Sequence, residues 1–189
     1  MDDRHHNERE RERFFSLSLD MCCIAGFDGY FKSLNNVWEQ VLGYSREEML
    51  AQPFVEFIHP DDREPTAQLV QKMFEGEKAV EFENRYRNKK GEYRRLLWNG
   101  IAYMEEERIY ATARDITDQK AAQEQFNRRL LAEERVHRCV LQMERFEDFE
   151  KVIHLMAEEL KDMGLVFDAV GLNTIDENEN TLTGYSIVR

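Results

Sequence analysis

Short apolar runs open the chain after a charged beginning, and their spacing predicts strands. Met21–Phe27 is one such run, and Asp28-Gly29 separates it from a second run at Tyr30–Leu34. An Asp-Gly pair between two apolar runs is typical of a tight β-hairpin turn. We therefore expect the folded region to begin with two antiparallel strands.

Helix signals dominate the next stretch. Ser45 is followed three residues later by Glu48, a capping box that predicts a helix over Arg46–Ala51. The sequence His59-Pro60-Asp61-Asp62 predicts a break and a helix cap, before a longer helix at about Arg63–Glu75. Several short helices are thus expected after the hairpin.

Alternating residues then predict three more strands, at Val80–Arg87, Tyr93–Met104 and Ile109–Ile116. In the first of them, Val80, Phe82 and Tyr86 are expected on one face. The second is apolar at both parities, so both of its faces must be covered. Helices can cover one face, and the lead-in helix or a partner chain the other.

The order of these elements predicts an α+β fold. The first and last strands can lie side by side, which gives a five-stranded antiparallel sheet with helices on one face. The space between helices and sheet is the natural place for a ligand.

The pattern changes at Asp115 and Thr117, where a strand should end and a helix begin. From Thr117 to about Glu144 the chain has no proline or glycine, and apolar residues recur mostly at three- or four-residue steps. This stripe favours a parallel two-helix coiled coil, with packing back onto the sheet as the alternative. Its residues are Ala122, Phe126, Leu130, Val136, Val140 and Met143.

A second amphipathic helix is predicted at Glu147–Met163, ended by Gly164. Leu165–Ile175 and Thr181–Val188 should form two strands around a polar turn. The C-terminal part therefore differs in pattern from the sheet domain.

The net charge of the chain argues against one class of function. The chain has 26 basic and 38 acidic residues, a net charge of −12, which argues against a nucleic-acid-binding surface. No apolar run reaches the ~20 residues that a membrane helix needs. We expect a cytoplasmic protein, or the cytoplasmic part of a larger one, without direct membrane insertion.

No metal or catalytic constellation is predicted. Cys22, Cys23 and Cys139 show no zinc-type spacing, and free thiols in a reducing compartment are expected. There is no glycine-rich phosphate loop and no Gly-x-Ser-x-Gly sequence. The sequence therefore predicts no metal site and no enzyme activity within the chain.

Short motifs in the first part of the chain, in this order and at this spacing, resemble those of a PAS domain of the S-box type. Ala51 departs from the family's more frequent glycine. The motifs are Phe27-Asp28-Gly29, Leu34-Asn35, Leu42-Gly43-Tyr44-Ser45-Arg46-Glu47-Glu48-Met49, His59-Pro60-Asp61-Asp62-Arg63, Arg85-Tyr86-Arg87, Lys90-Gly91-Glu92-Tyr93 and Arg114-Asp115-Ile116-Thr117-Asp118-Gln119-Lys120.

This resemblance implies an input module of a histidine kinase, diguanylate cyclase or transcription regulator. Such modules bind heme, flavin, small metabolites or nothing, and they usually dimerise. Asp115 and Thr117 match the family's Asp-x-Thr signalling element. The alternative for these two residues is a static helix cap.

The ligand stays unknown, although heme and covalent flavin are disfavoured. His59 lies in a turn-and-cap sequence, the helix Arg63–Glu75 contains no histidine, and no Asn-Cys-Arg-Phe run follows. Five aromatic residues are candidates for the pocket lining, with plain core packing as the alternative. They are Trp38, Phe57, Phe74, Phe82 and Trp98.

The C-terminal helix and hairpin resemble the opening of a GAF domain, over too few residues for a whole one. They are expected to be a truncated domain or a fragment covered by a second copy. The predicted organisation is a lead-in helix at 1–13, a PAS domain at 14–120, a coiled-coil linker at 121–146 and a truncated GAF-like segment at 147–189.

The hypothesis is a sensory and dimerising input region, with a histidine kinase as the expected output domain outside this chain. A homodimer would form through the linker helix and the PAS sheet. The rival hypothesis is a ligand-free PAS scaffold that only pairs subunits, and an enzyme is the third.

Overall fold

The computed structural model describes residue 13 and residues 15–142, 149–164, 169–176 and 181–188. The chain forms two compact units, Met1–Gln119 and Lys120–Arg189. Most of the predicted lead-in helix lies outside the described residues, and residues 13 and 15–17 are helical.

Three α-helices follow the first hairpin. Helix α1 (Val37–Leu42) ends at Gly43, whose φ of 75° lies in the left-handed region that glycine tolerates. Helix α2 (Arg46–Leu50) begins with the predicted capping box. Helix α3 (Pro60–Phe74) starts at Pro60 rather than Arg63, because the His59 imidazole caps it by accepting a hydrogen bond from Asp61 N. Phe54–Phe57 forms a 3₁₀ turn between α2 and α3.

The five strands form the predicted antiparallel sheet. They are β1 (Met21–Gly26), β2 (Phe31–Leu34), β3 (Ala79–Arg87), β4 (Tyr93–Tyr103) and β5 (Arg108–Asp115). Their order is β2-β1-β5-β4-β3, so the first and last strands are neighbours. Cys22 lies opposite Thr112 across β1 and β5, and Trp98 opposite Ala113 across β4 and β5.

The expected inward position of Val80 is wrong. A bulge between Ala79 and Phe82 shifts the register of β3, and Glu81 has a φ of 50°. Ala79 is buried, whereas Val80 is 68% exposed. The extra residue turns the start of the strand over, so Phe82 and Tyr86 keep their predicted face and Val80 does not.

The core of the first unit lies between the helices and one face of the sheet. The largest fully buried side chains there include Trp38, Leu42, Met49 and Leu96. The other face of the sheet has a groove of about 460 Å³ bordered by Phe15, Ile24 and Tyr110. Phe15 belongs to the helical lead-in, which was one of the two covers expected for this face.

The second unit contains most of a long helix, α4 (Thr117–Leu141), then α5 (Phe149–Asp162) and a hairpin of β6 (Ala169–Asp176) and β7 (Thr181–Val188). The residues predicted to extend the linker helix beyond residue 142 lie outside the described residues. No helix among the described residues has both the length and the apolar character of a membrane span.

Candidate functional site

A cavity of about 70 Å³ lies between α3 and the inner face of the sheet. Its wall is mainly apolar and includes Leu69, Val70 and Met73 of α3. Ligand pockets typically measure ~300–1,000 Å³. A ligand as large as heme or flavin would therefore require α3 and the sheet to move apart.

Two of the five candidate aromatic residues line this cavity, Phe82 and Trp98. Trp38 lies behind the wall, with its ring centroid 5.7 Å from that of Trp98. Phe57 packs edge-on against Tyr44, and Phe74 packs against Phe27. The structure thus places the candidates in one continuous core, but it does not bring all five to the cavity.

A chain of hydrogen bonds crosses the cavity wall from β4 to α3. Trp98 Nε1 donates to Asn84 Oδ1 at 2.7 Å, and Asn84 Nδ2 donates to Thr66 Oγ1 at 3.1 Å. The Thr66 hydroxyl in turn donates to the carbonyl oxygen of Asp62 at 2.7 Å. Since Asn84 and Thr66 are both buried, this chain satisfies groups that would otherwise be costly to bury.

An ion pair at the start of α3 continues this connection. Arg85 donates to the Asp62 carboxylate from Nε at 2.8 Å and from Nη2 at 2.7 Å, a two-point contact. The hydrogen bond from Arg85 lowers the pKa of the Asp62 carboxyl below its ordinary value. The same bond raises the pKa of the Arg85 guanidinium. The pair therefore fixes the start of α3 against β3.

Two titratable groups line the cavity, Cys23 and Tyr86. Burial raises the pKa of the Tyr86 hydroxyl well above its ordinary value, and the nearby Cys23 raises it further. Burial also raises the pKa of the Cys23 thiol, with a further contribution from Cys22. Both groups are thus protonated and neutral near pH 7.

Asp115 and Thr117 lie where β5 ends and α4 begins. Asp115 Oδ1 accepts hydrogen bonds from the backbone N–H and the hydroxyl of Thr117. The Thr117 Oγ1 atom accepts one from Arg95 N at 2.8 Å, and Asp115 Oδ2 lies 3.7 Å from Arg94 Nη1. Both residues are therefore in contact with the first residues of β4.

Asp20 and Arg114 make a second link near this junction. Arg114 donates from Nε and Nη2 to the two carboxylate oxygens of Asp20 at 2.9 and 3.0 Å. The Asp20 carbonyl oxygen also accepts from Asn35 Nδ2. The residues before β1 are thereby attached to the end of β5.

Sequence reasoning missed Asn84 and Thr66. A signal was present for Asn84, because it shares the inward parity of Phe82 and Tyr86 on β3. A polar side chain at a core position needs a partner. Nothing in the sequence pointed to Thr66, whose role depends on how α3 packs against β3 and β4.

No group of three or more histidine, cysteine, aspartate or glutamate residues within the described ranges could hold a metal ion. The His59 imidazole is used as a helix cap. Cys22, Cys23 and Cys139 are free thiols.

Residues 31–113 match a family model described as PAS fold. This range contains α3 and most of the cavity wall, but not Cys23 and Ala25 of β1, and it ends just before Arg114. No curated protein matches the chain.

Two solved structures have similar folds. One is a domain of the sensory box sensor histidine kinase/response regulator from Geobacter sulfurreducens, 18% identical with a TM-score of 0.53, covering 60% of this chain and 98% of that one. The other is the PAS domain of a protein from Colwellia psychrerythraea, 23% identical with a TM-score of 0.53, covering 59% and 98%. At these identities the likeness shows the fold.

Proposed function

We propose that this chain is the sensory input and dimerisation region of a signal-transduction protein. The match of residues 31–113 to a family model described as PAS fold and the similar folds of the two solved structures support this proposal. A histidine kinase is the proposed output. The region relays the ligand or redox state of the PAS core through Asp115, Ile116 and Thr117 to helix α4.

The proposed relay is supported by the position of β4, which lines the cavity and also contacts the start of α4. Trp98 on this strand lines the cavity, and Arg94 and Arg95 at its beginning contact Asp115 and Thr117. One strand thus touches both the cavity and the first residue of α4. A ligand that displaces Trp98 would shift β4 and alter the hydrogen bonds that hold the start of the helix.

The test is Asp115→Ala in the intact signalling protein that carries this region. We expect the variant to fold, because Asp115 is only half-buried, and its output to stop responding to the input. Asp118→Ala is the control, since Asp118 is an exposed residue of the same helix turn. A normal response from the Asp115 variant would refute the relay.

The proposed dimerisation rests on the apolar stripe of α4. Phe126 and Leu130 are 61% and 47% exposed and lie one helical turn apart on α4. Within the second unit, Ala132 is buried and Arg135 pairs with Glu159 of α5 at 2.7 Å. We therefore place the proposed interface at Phe126 and Leu130, and Val140, which is 44% exposed, extends it toward the end of the helix.

The rival function, a ligand-free PAS scaffold that only pairs subunits, fits the small volume of the cavity. An absorption spectrum and a native mass of freshly purified protein separate the two. A bound chromophore or ligand mass supports sensing, and a dimer without ligand supports the scaffold.

Three further parts of the proposal stand beside the relay. The chain has no catalytic activity of its own, it works in the cytoplasm, and residues 147–189 are the opening part of a GAF-like domain. The helix–hairpin order of α5, β6 and β7 supports the last point. A longer form of the protein that folded into another domain type there would contradict it.

A further inference from the structure

Tyr86 is a polar residue in the wall of the cavity. It is only 2% exposed, with its ring against Trp38 and Trp98. Across the described part of the chain, no hydrogen-bond partner contacts the Tyr86 hydroxyl. No fully enclosed side-chain nitrogen or oxygen of the described residues lacks a hydrogen-bond partner, so this hydroxyl is not sealed in the core but open to the cavity.

The other polar side chains of the cavity wall differ from Tyr86, because they are paired. Trp98, Asn84 and Thr66 bond to one another and to the Asp62 carbonyl oxygen. Tyr86 therefore supplies the hydrogen-bond donor of the wall that is open to a molecule inside the cavity.

The absence of charged side chains from the cavity wall restricts the kind of ligand that can bind there. No aspartate, glutamate, lysine, arginine or histidine side chain lines the cavity, and burial raises the pKa of both Tyr86 and Cys23, which keeps them neutral. An ion would lose its hydration without gaining a counter-charge, a large cost. The wall thus favours a neutral guest that accepts a hydrogen bond.

The volume of the cavity limits the size of the ligand. A cavity of about 150 Å³ holds benzene, and this one measures about 70 Å³. A guest of roughly three to five non-hydrogen atoms fits without a change of fold. The apolar residues around it, such as Leu69 and Met73, match an aliphatic body rather than a polar one.

We propose that the cavity binds a small neutral aliphatic molecule with one hydrogen-bond acceptor, of the short ketone or aldehyde class, whose acceptor meets the Tyr86 hydroxyl. This inference rests on the proposed sensory function and names the ligand class of that same cavity. Water is the competing occupant. It would find few of the two to four polar partners that a buried water usually has.

Acetone and acetate test this directly, because they have similar shape and the same number of non-hydrogen atoms but differ in charge. The chain has two tryptophans, so its NMR spectrum contains two indole N–H signals, and the Trp98 N–H lies in the cavity wall. Titrating the full chain with acetone should shift the Trp98 signal to saturation, and acetate at the same concentration should not.

Tyr86→Phe removes only the hydroxyl and should weaken acetone binding about five- to tenfold, as expected for one lost hydrogen bond. Tyr44→Phe is the matched control, because the Tyr44 hydroxyl donates to the Asn88 carbonyl oxygen and does not line the cavity. The Tyr44 variant should bind acetone like the parent.

Three results would overturn the inference: acetate binding as tightly as acetone, equal acetone affinity in Tyr86→Phe and the parent, or no saturable shift with acetone. The first two are judged on proteins whose amide spectra show the native fold. Acetone binding without any change in signalling output would instead contradict the relay and leave the ligand class standing.

Discussion

The hydroxyl of Thr117 and the backbone N–H of Arg95 are joined by a hydrogen bond of 2.8 Å. Thr117 is the first residue of α4 and Arg95 lies near the beginning of β4. A helix that leaves the sheet domain is thus attached, through its first side chain, to a strand other than the one it follows. The attachment lets β4, rather than β5 alone, influence the start of the helix.

Removing this hydroxyl should destabilise the domain. Thr117→Val leaves Arg95 N–H without its acceptor and Asp115 without one of its donors, and should cost about 0.5–1.5 kcal/mol in the free energy of unfolding. Thr117→Ser keeps the oxygen and should retain most of the stability. Urea denaturation of the three proteins measures the difference, and equal losses in both variants would show that the hydroxyl is not the cause.

The buried amide of Asn84 should matter more than an exposed one. Asn84→Leu keeps a similar volume but leaves the Trp98 N–H and the Thr66 hydroxyl oxygen without their partner, at a cost of about 1–3 kcal/mol. Gln68→Leu changes an exposed amide that bonds only to Glu64, and its effect should stay within about 0.5 kcal/mol. Denaturant unfolding compares the two, and similar stabilities would contradict a structural role for the Asn84 hydrogen bonds.

The ion pair of Asp62 and Arg85 should make stability depend on acidity. Since the pKa of Asp62 is lowered in the folded state, its contribution is present above the ordinary aspartate pKa of ~3.9 and is lost as the pH falls through the lowered value. Asp62→Asn should therefore lose about 1.5–3 kcal/mol at neutral pH. This difference from the parent should shrink as the pH falls below that range.

Asp61→Asn serves as the control for this pH dependence. Asp61 is mostly exposed and makes one contact with Arg85 at 3.3 Å, so its loss should be smaller at every pH. Thermal unfolding between pH 3 and pH 7 gives the comparison. A constant gap between the Asp62 variant and the parent across this range would show that the carboxylate charge is not involved.

The dimer should depend on the exposed beginning of the α4 stripe. Phe126→Glu places a charge in the proposed interface and should raise the dimer dissociation constant at least about tenfold, a change of ~1.4 kcal/mol. Gln125→Glu adds the same charge at the neighbouring exposed position and should have little effect. Sedimentation measures both, and a monomeric parent protein would rule out this interface.

Local sequence signals predicted much of the secondary structure of the first unit. The Asp28-Gly29 turn, the Ser45 and Glu48 capping box and the glycine after α1 are encoded within a few residues each, so they could be predicted before any packing was known. The neighbouring positions of the first and last strands followed from the order of the elements. Strand β3 shows the limit, because a bulge of one residue is not visible in an alternating pattern.

The candidate site was predicted less completely than the fold. The position of Asp115 and Thr117 at a strand-to-helix boundary followed from the change in periodicity. Their contacts with Arg94 and Arg95 did not, because those residues come from a strand that meets β5 only in the folded sheet. Of the five candidate aromatics, the inward parity of a strand could mark Phe82 and Trp98 as core residues but could not tell a cavity wall from the packing behind it.

The sequence by itself determined where most strands, turns and caps of the first unit lie, because each depends on residues close together in the chain. Only the tertiary structure decided that Asn84 bridges Trp98 and Thr66, and that the Tyr86 hydroxyl is left without a partner beside a small neutral cavity. The reason is physical: hydrogen bonding and cavity volume are set by side chains that approach one another from distant parts of the chain, and no local pattern records those distances.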